Sequence, residues 1–237
     1  MGVVQGNSSN TLGSIPSTST ISAKELIVKP INSTAANAFV KKHHYSGKVV
    51  ANSQLHFGVY LKDRLEGVMS FGPPINKKGT INIVRDTQWS GMIELNRMAF
   101  SEKLPRNSES RAMAVAFRLM RKHYPQIEWI VSFSDGTQCG DGTIYRAAGF
   151  VLTDIRVSDA LRVNPQNGEV MHVIQAHHLM LTKEFKNWTP TKGYQFRYVY
   201  FLNQKAKERL TVPIIPFNKI DEMGAAMYKG EKIMREK

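Results

Sequence analysis

Residues 129–150 read WIVSFSDGTQCGDGTIYRAAGF, and no other stretch constrains the fold as much. The apolar run Trp129, Ile130, Val131 and Phe133 is bounded by Gly, Asp, Ser and Thr, the pattern of a buried strand that ends in a turn-rich loop. Thr143 to Ala148 then reads as a short helix carrying Tyr145 and stopped by Gly149. A strand end, a polar loop with Ser134, Asp135 and Cys139, and a helix-borne tyrosine are thus delivered to one place.

Upstream, Glu25 to Ile31 has the alternation of a strand. Ser33 caps a helix whose apolar positions are Ala35, Ala36, Phe39 and Val40, and which runs out at Lys41-Lys42-His43-His44-Tyr45. Leu55–Tyr60 and Glu66–Phe71 form an antiparallel pair around Lys62-Asp63-Arg64. Gly91 to Phe100 (GMIELNRMAF) is the next strand. Strict alternation puts Glu94, Asn96 and Met98 on one face and Ile93, Leu95, Arg97 and Ala99 on the other. Charged residues in such a strand need partners, since a buried unpaired charge costs several kcal/mol. Glu94 and Arg97 are therefore either an internal ion pair or part of a site.

Asn107 or Ser108 opens a longer helix with Ala112, Val115, Ala116, Leu119 and Met120 on one face. Arg111, Arg118, Arg121 and Lys122 sit away from that stripe, where they either track phosphates or stay solvated. Ile127–Phe133 and Val151–Ile155 are strands. Val170–Leu181 also reads as sheet, which makes His172, His177 and His178 sheet-face residues rather than ligands. Tyr194 to Leu202 is the last strand. Residues 1–24, rich in Ser and Thr, are expected to be a disordered arm, 25–203 the catalytic domain and 204–237 a basic extension.

Charge narrows the partners. With 32 Lys and Arg against 19 Asp and Glu, the chain carries a formal +13, a potential that draws polyanions. The single cysteine excludes an internal disulfide and a multi-Cys zinc site. No apolar run reaches the ~18 residues of a membrane span, so no membrane partner and an intracellular location are expected.

The order of elements describes an α/β fold: a mixed, mostly antiparallel sheet of six or seven strands with a central β-α-β unit and flanking helices. It resembles that of the GNAT-type acetyltransferase superfamily, related to the histone acetyltransferases. In that superfamily the strands before and after the long helix splay apart to admit a thioester donor. Gly142 to Phe150 resembles its short helix and following Gly-Phe, where a tyrosine often protonates the leaving thiolate. The segment Ser101–Ser108, at the place of the superfamily's Gly-rich pyrophosphate loop, contains no glycine.

A closer resemblance rests on Lys42-His43-His44-Tyr45-Ser46-Gly47, Glu94-Leu95-Asn96-Arg97-Met98-Ala99-Phe100, Ser132-Phe133-Ser134-Asp135-Gly136-Thr137 and the Tyr145 helix. These are similar to the Mom family of bacteriophage DNA-modification proteins, as are Arg197–Leu202 and Val212–Pro216. The resemblance implies conversion of adenine to its N6-carbamoylmethyl form in double-stranded phage DNA, which blocks host restriction, in the cytoplasm of a bacterial host. It also implies Asp135, Tyr145, Arg97, His44 and Tyr45 as catalytic residues and Ser110 as a donor contact. Arg106 and Ser108 join Ser110 as candidate donor ligands, with Arg111, Arg118, Arg121 and Lys122 as candidate DNA contacts.

Adenine N6 is a weak nucleophile, so a base must stand close, and Asp135 is the carboxylate at the strand end. A carbamoylmethyl group needs a C–N bond to a methylene, which simple acetyl transfer does not make. The donor is left open between acetyl-CoA and another acyl or aminoacyl carrier. Iron held by His and Asp, a role for Cys139 and a homodimer also stay open. An N-acyltransferase on another amine and a non-catalytic basic DNA-binding protein are the alternatives.

Overall fold

The computed structural model describes residues 22–136, 140–158, 161–191, 193–225, 227–228 and 231–232. Most of the expected N-terminal arm lies outside them, as does Cys139. Within them the chain runs β1 (Ile27–Pro30), α1 (Ser33–His43), β2 (Leu55–Leu61), β3 (Arg64–Gly72), α2 (Lys77–Ile81), β4 (Met92–Phe100), α3 (Ser108–His123), β5 (Trp129–Asp135) and α4 (Thr143–Ala147). It continues through β6 (Val151–Ser158), β7 (Leu161–Val163), β8 (Val170–His172), α5 (Val173–His178), α6 (Thr182–Phe185), β9 (Thr189–Pro190), β10 (Gly193–Phe201) and α7 (Asn218–Glu222).

One seven-stranded sheet has the order β1-β2-β3-β4-β5-β10-β6. Every neighbour in it is antiparallel except β4 and β5, which the α3 crossover makes parallel. This is the mixed α/β arrangement expected from the sequence. Lys62 and Asp63 turn the β2–β3 hairpin with φ of 47° and 62°, the positive values that match the twist of the flanking strands.

The parallel pair is short. Its register holds only Met92↔Trp129, Ile93↔Ile130 and Glu94↔Val131, after which the strands part. At the parting, the Ser132 hydroxyl donates to the Leu95 carbonyl at 2.9 Å and so satisfies a group that the lost ladder leaves open.

The sheet separates two apolar layers. On one face Ala112, Met113, Ala116, Phe117 and Met120 of α3 pack with Phe57, Met69, Phe71, Leu95 and Ile130. On the other, Ala36, Phe39 and Val40 of α1 pack with Val68 and Ala99. Ile83 and Val84, which follow α2, pack with Met92, Trp129 and Val131 on that same second face.

Two local expectations change. Asn32 rather than Ser33 caps α1, its side chain accepting from Ala35 N–H at 2.8 Å. Val170–Leu181 is a strand for Val170–His172 only and then turns helical, because its apolar residues Val173, Ala176 and Leu181 do not keep period two. Residues 204–225 lie on the domain: Ala206, Ile220 and Ala225 are buried, and Ile215 bridges to Leu152.

Candidate active site

The site begins with one extra residue in β4. Ser70 pairs with Arg97 and Phe71 with Leu95, so Asn96 is a bulge. The bulge resets the alternation. Leu95 stays on the α3 face, while Arg97 moves to the α1 face that Ala99 shares. Arg97 therefore does not side with Ile93 and Leu95 as strict alternation implies; it stands on the same face as Glu94. A bulge carries no compositional mark, which is why pattern alone misplaces it.

Glu94 occupies the last paired position before β4 and β5 diverge. It is half-buried, and among the described residues no hydrogen bond reaches its carboxyl group. Burial pushes its pKa up to about 7, against the opposing pull of the Arg97 charge. Arg97 is anchored by carbonyls: its Nε donates to Lys48 O at 2.9 Å and Nη1 to Asn96 O at 2.6 Å.

His44 closes this corner from the end of α1. Burial first, and the Arg97 charge second, hold its pKa down to about 4, so the ring is neutral at pH 7. The Ser46 amide donates to His44 Nδ1 at 3.2 Å, and the Ser46 hydroxyl lies 2.8 Å from the same atom. An acceptor Nδ1 makes Nε2 the nitrogen that carries the proton. The Tyr45 ring stacks obliquely on His44 with centroids 4.2 Å apart and is 60% exposed.

A second polar layer backs this corner, and sequence reading assigned it no function. His56 Nδ1 lies 2.8 Å from the Ser70 hydroxyl, and Ser53 Oγ donates to Asn96 Oδ1 at 3.0 Å. Among the described residues His56 Nε2 and Asn96 Nδ2 are buried without a partner. The available signal was a polar residue at an inward position of an apolar strand: His56 in LHFGVYL and Ser70 in RLEGVMSFG.

Asp135 ends β5 opposite Gln195 of β10, and the strand's alternation puts it on the side of Trp129 and Val131. It is half-buried. Asp135, Glu94 and Arg97 therefore share a face along the two edges of the splay. Tyr145 lies on the other face. It is buried, with its ring 5.1 Å from Tyr198 and 5.2 Å from Phe150. Tyr198 in turn donates its hydroxyl to the Asp141 carbonyl. Gly142 sits under this pair at φ 81°, where a Cβ would come within 2.5 Å of the Tyr198 ring.

The loop without glycine still turns. Asn107 takes φ 68°, the left-handed conformation that Asn tolerates best after Gly, and it delivers α3 with the Glu109 and Ser110 amides unpaired among the described residues. Lys24, Arg106, Ser110 and Arg111 line an open cleft of about 690 Å³ at this helix start. Cations and free amide donors there suit a phosphate-bearing group, so the residues fit a nucleotide-type carrier. Ser108 is fully buried and its hydroxyl donates to Pro105 O at 2.5 Å, so it braces the loop. Replacing Asn107 with Val should lower stability by about 1–3 kcal/mol, while Asn107→Gly should leave it near wild type, both read by thermal unfolding.

The basic side of α3 divides. Arg121 is tied down: Nε donates to Leu202 O at 3.0 Å and Nη2 to the Tyr200 hydroxyl at 2.7 Å. Arg111, Arg118 and Lys122 are exposed. They lie across the sheet from Glu94 and Arg97. Among the described residues no group of three or more His, Cys, Asp or Glu is placed to hold a metal ion. None of the described helices is long and apolar enough to cross a membrane.

Comparison with known proteins completes the picture. Structurally, the chain is similar to an IAA acetyltransferase from Bacillus cereus, with a TM-score of 0.43 and 11% identity over 74% of this chain and 99% of that one. It is also similar to the spermidine/spermine N-acetyltransferase SpeG from Vibrio cholerae, with a TM-score of 0.46 and 8% identity over 78% and 98% of the two chains. In sequence it is 35% identical over 203 residues to the methylcarbamoylase Mom of Escherichia phage Mu, which covers 81% of this chain and 82% of that protein. The model of the Mom protein family matches residues 25–219, a span that holds both edges of the splay and every catalytic candidate above. On that match the chain belongs to the Mom protein family.

Proposed function

We propose that this protein is a transferase that converts adenine in double-stranded DNA to its N6-carbamoylmethyl derivative and so shields phage DNA from restriction inside the bacterial host. The reading draws on the phage Mu relative, a methylcarbamoylase. The observation that carries it is the half-buried Glu94 carboxyl, without a hydrogen bond among the described residues, beside Arg97 and a neutral His44, at the point where β4 and β5 part.

The chemistry follows from these environments. Adenine N6 shares its lone pair with the ring, so bond formation at nitrogen must be coupled to loss of a proton. Glu94 accepts that proton: the N–H bond breaks, its electron pair stays on nitrogen and the proton moves to a carboxylate oxygen. Asp135 holds the amino group from the other edge by accepting its second N–H. Arg97 and the Nε2–H of His44 stabilise negative charge that develops nearby. Tyr45 offers a stacking face to the extruded base.

Lys24, Arg106, Ser110, Arg111 and the first amides of α3 hold the phosphate-bearing end of an acyl or aminoacyl carrier. When bound, that carrier would supply the carbon to be transferred and would leave with the electron pair of the bond that had joined it to that carbon. Tyr145 lies across the sheet from the base, buried on the face of α3. Donor and acceptor thus approach from opposite faces of one sheet.

Plasmid DNA from cells expressing the protein should resist restriction enzymes whose sites contain adenine. Asp135→Ala should abolish that resistance while leaving circular dichroism and salt-dependent retention on DNA unchanged. Full cleavage of plasmid from cells that hold the soluble, folded wild type would refute the function. Unfolding of Asp135→Ala would make Asp135 structural.

A further inference from the structure

The faces of the sheet decide where DNA lies. Glu94, Arg97 and Asp135 share the α1 face, whereas the exposed Arg118 and Lys122 of α3 stand on the opposite one. A base that reaches Glu94 leaves its duplex on the α1 side, within the short reach of one extruded nucleotide.

Two segments border the floor on the α1 face. The end of α1 packs over Val68 and Ala99 on one side of it, and the α2 segment packs through Ile83 and Val84 over Met92, Trp129 and Val131 on the other. Both segments are unbalanced in charge. Residues 26–62 contain no Asp or Glu and residues 67–85 contain none either, while Lys41, Lys42, Lys77, Lys78 and Arg85 fall within them. Lys41, Lys42 and Lys78 are exposed, and Arg85 is partly neutralised by Asp86 at 3.5 Å. An exposed aromatic ring stands beside each: Tyr45 at 60% and, past Asp86, Trp89 at 58% with Lys77 held 4.6 Å above it.

We propose that the duplex docks across the α1 face, its phosphates running between the end of α1 and the α2 segment, so that the cations of α3 take no part in holding it. Acid-free segments with exposed lysines match a polyanion in charge, and the aromatic rims match bases opened from the stack. The inference rests on DNA being the substrate.

The test compares matched double substitutions in the full-length protein. Binding to a fluorescent 25-base-pair duplex of mixed sequence is followed by anisotropy as a function of salt. Lys42→Ala with Lys78→Ala, one cation from each border, should flatten the slope of log K against log salt by about 2. Arg118→Ala with Lys122→Ala should leave that slope at the wild-type value. All four residues are exposed, so thermal unfolding should match wild type in both doubles. The reverse pattern, with the α3 double losing the slope, would overturn the docking face. A wild type with no salt-dependent binding to the duplex would instead count against DNA as the substrate.

Discussion

Glu94→Gln should lower the rate of adenine modification by roughly 100- to 10,000-fold, the usual contribution of a positioned base. Gln keeps the shape and hydrogen-bonding reach of Glu but cannot take a proton, so the loss measures proton acceptance rather than packing. The pH dependence separates this from a structural effect. With its pKa at about 7, Glu94 must ionise to act, so wild-type activity climbs as pH rises through 7 and levels off above it. The residual activity of Glu94→Gln should show no such limb, and Glu94→Asp should restore part of the rate and the limb together.

Stability should move the opposite way, and the sign follows from the same pKa. A carboxyl raised in the folded state from 4.5 to about 7 binds its proton more tightly folded than unfolded. Its contribution to stability is present below the unfolded pKa and is lost as pH rises through 7. Glu94→Gln removes that penalty. At pH 8 the variant should be more stable than wild type by about 1–2 kcal/mol, after allowing for solvent at a half-buried group. At pH 4 the two should melt together. A variant that loses both activity and stability at pH 8 would point to Glu94 as a packing residue.

Gly142→Ala should be the most damaging single methyl in the molecule. At φ 81° an alanine is forced into the left-handed region, at about 1–2 kcal/mol. Its Cβ would also meet the Tyr198 ring at 2.5 Å, and Tyr198 is fully buried and packed on Tyr145 and Phe217. The total, roughly 2–5 kcal/mol, corresponds to a fall in Tm on the order of 10 °C for a chain of this size. The displaced Tyr198 would carry Tyr145 with it, so activity should fall even well below the new Tm. Gly149→Ala is the control: it also has positive φ, 87°, but its Cβ would meet nothing nearer than 3.7 Å, and it should show the backbone cost alone.

Much of the fold was legible because it is written in period. The alternation in WIVSFSD and the spacing of Ala112, Ala116 and Met120 give β5 and α3 without tertiary information, and the motifs around His44, Arg97 and Asp135 supply the residues of the candidate site. What was hidden depends on pairing. The β4 bulge at Asn96 is set by a register shift against β3, so sequence alternation separated Glu94 from Arg97 when the fold brings them to one face. The layer of His56, Ser70, Ser53 and Asn96 assembles from three strands and a loop, and no local window contains it. The face of the sheet that α3 covers is hidden in the same way, because a helix pattern shows which side is polar and not what the other side packs on. Asn107 shows how chemistry can stand in for composition: the glycine expected by analogy is absent, yet the left-handed turn is present.

The central claim is that this face of the sheet modifies adenine in DNA. Its most direct test is mass spectrometry of nucleosides from the DNA of cells expressing wild type or Glu94→Gln. The wild type should yield a deoxyadenosine species heavier by one carbamoylmethyl group, and Glu94→Gln should yield at most a trace of it. Unmodified deoxyadenosine alone, from cells containing the folded wild-type protein, would contradict the account.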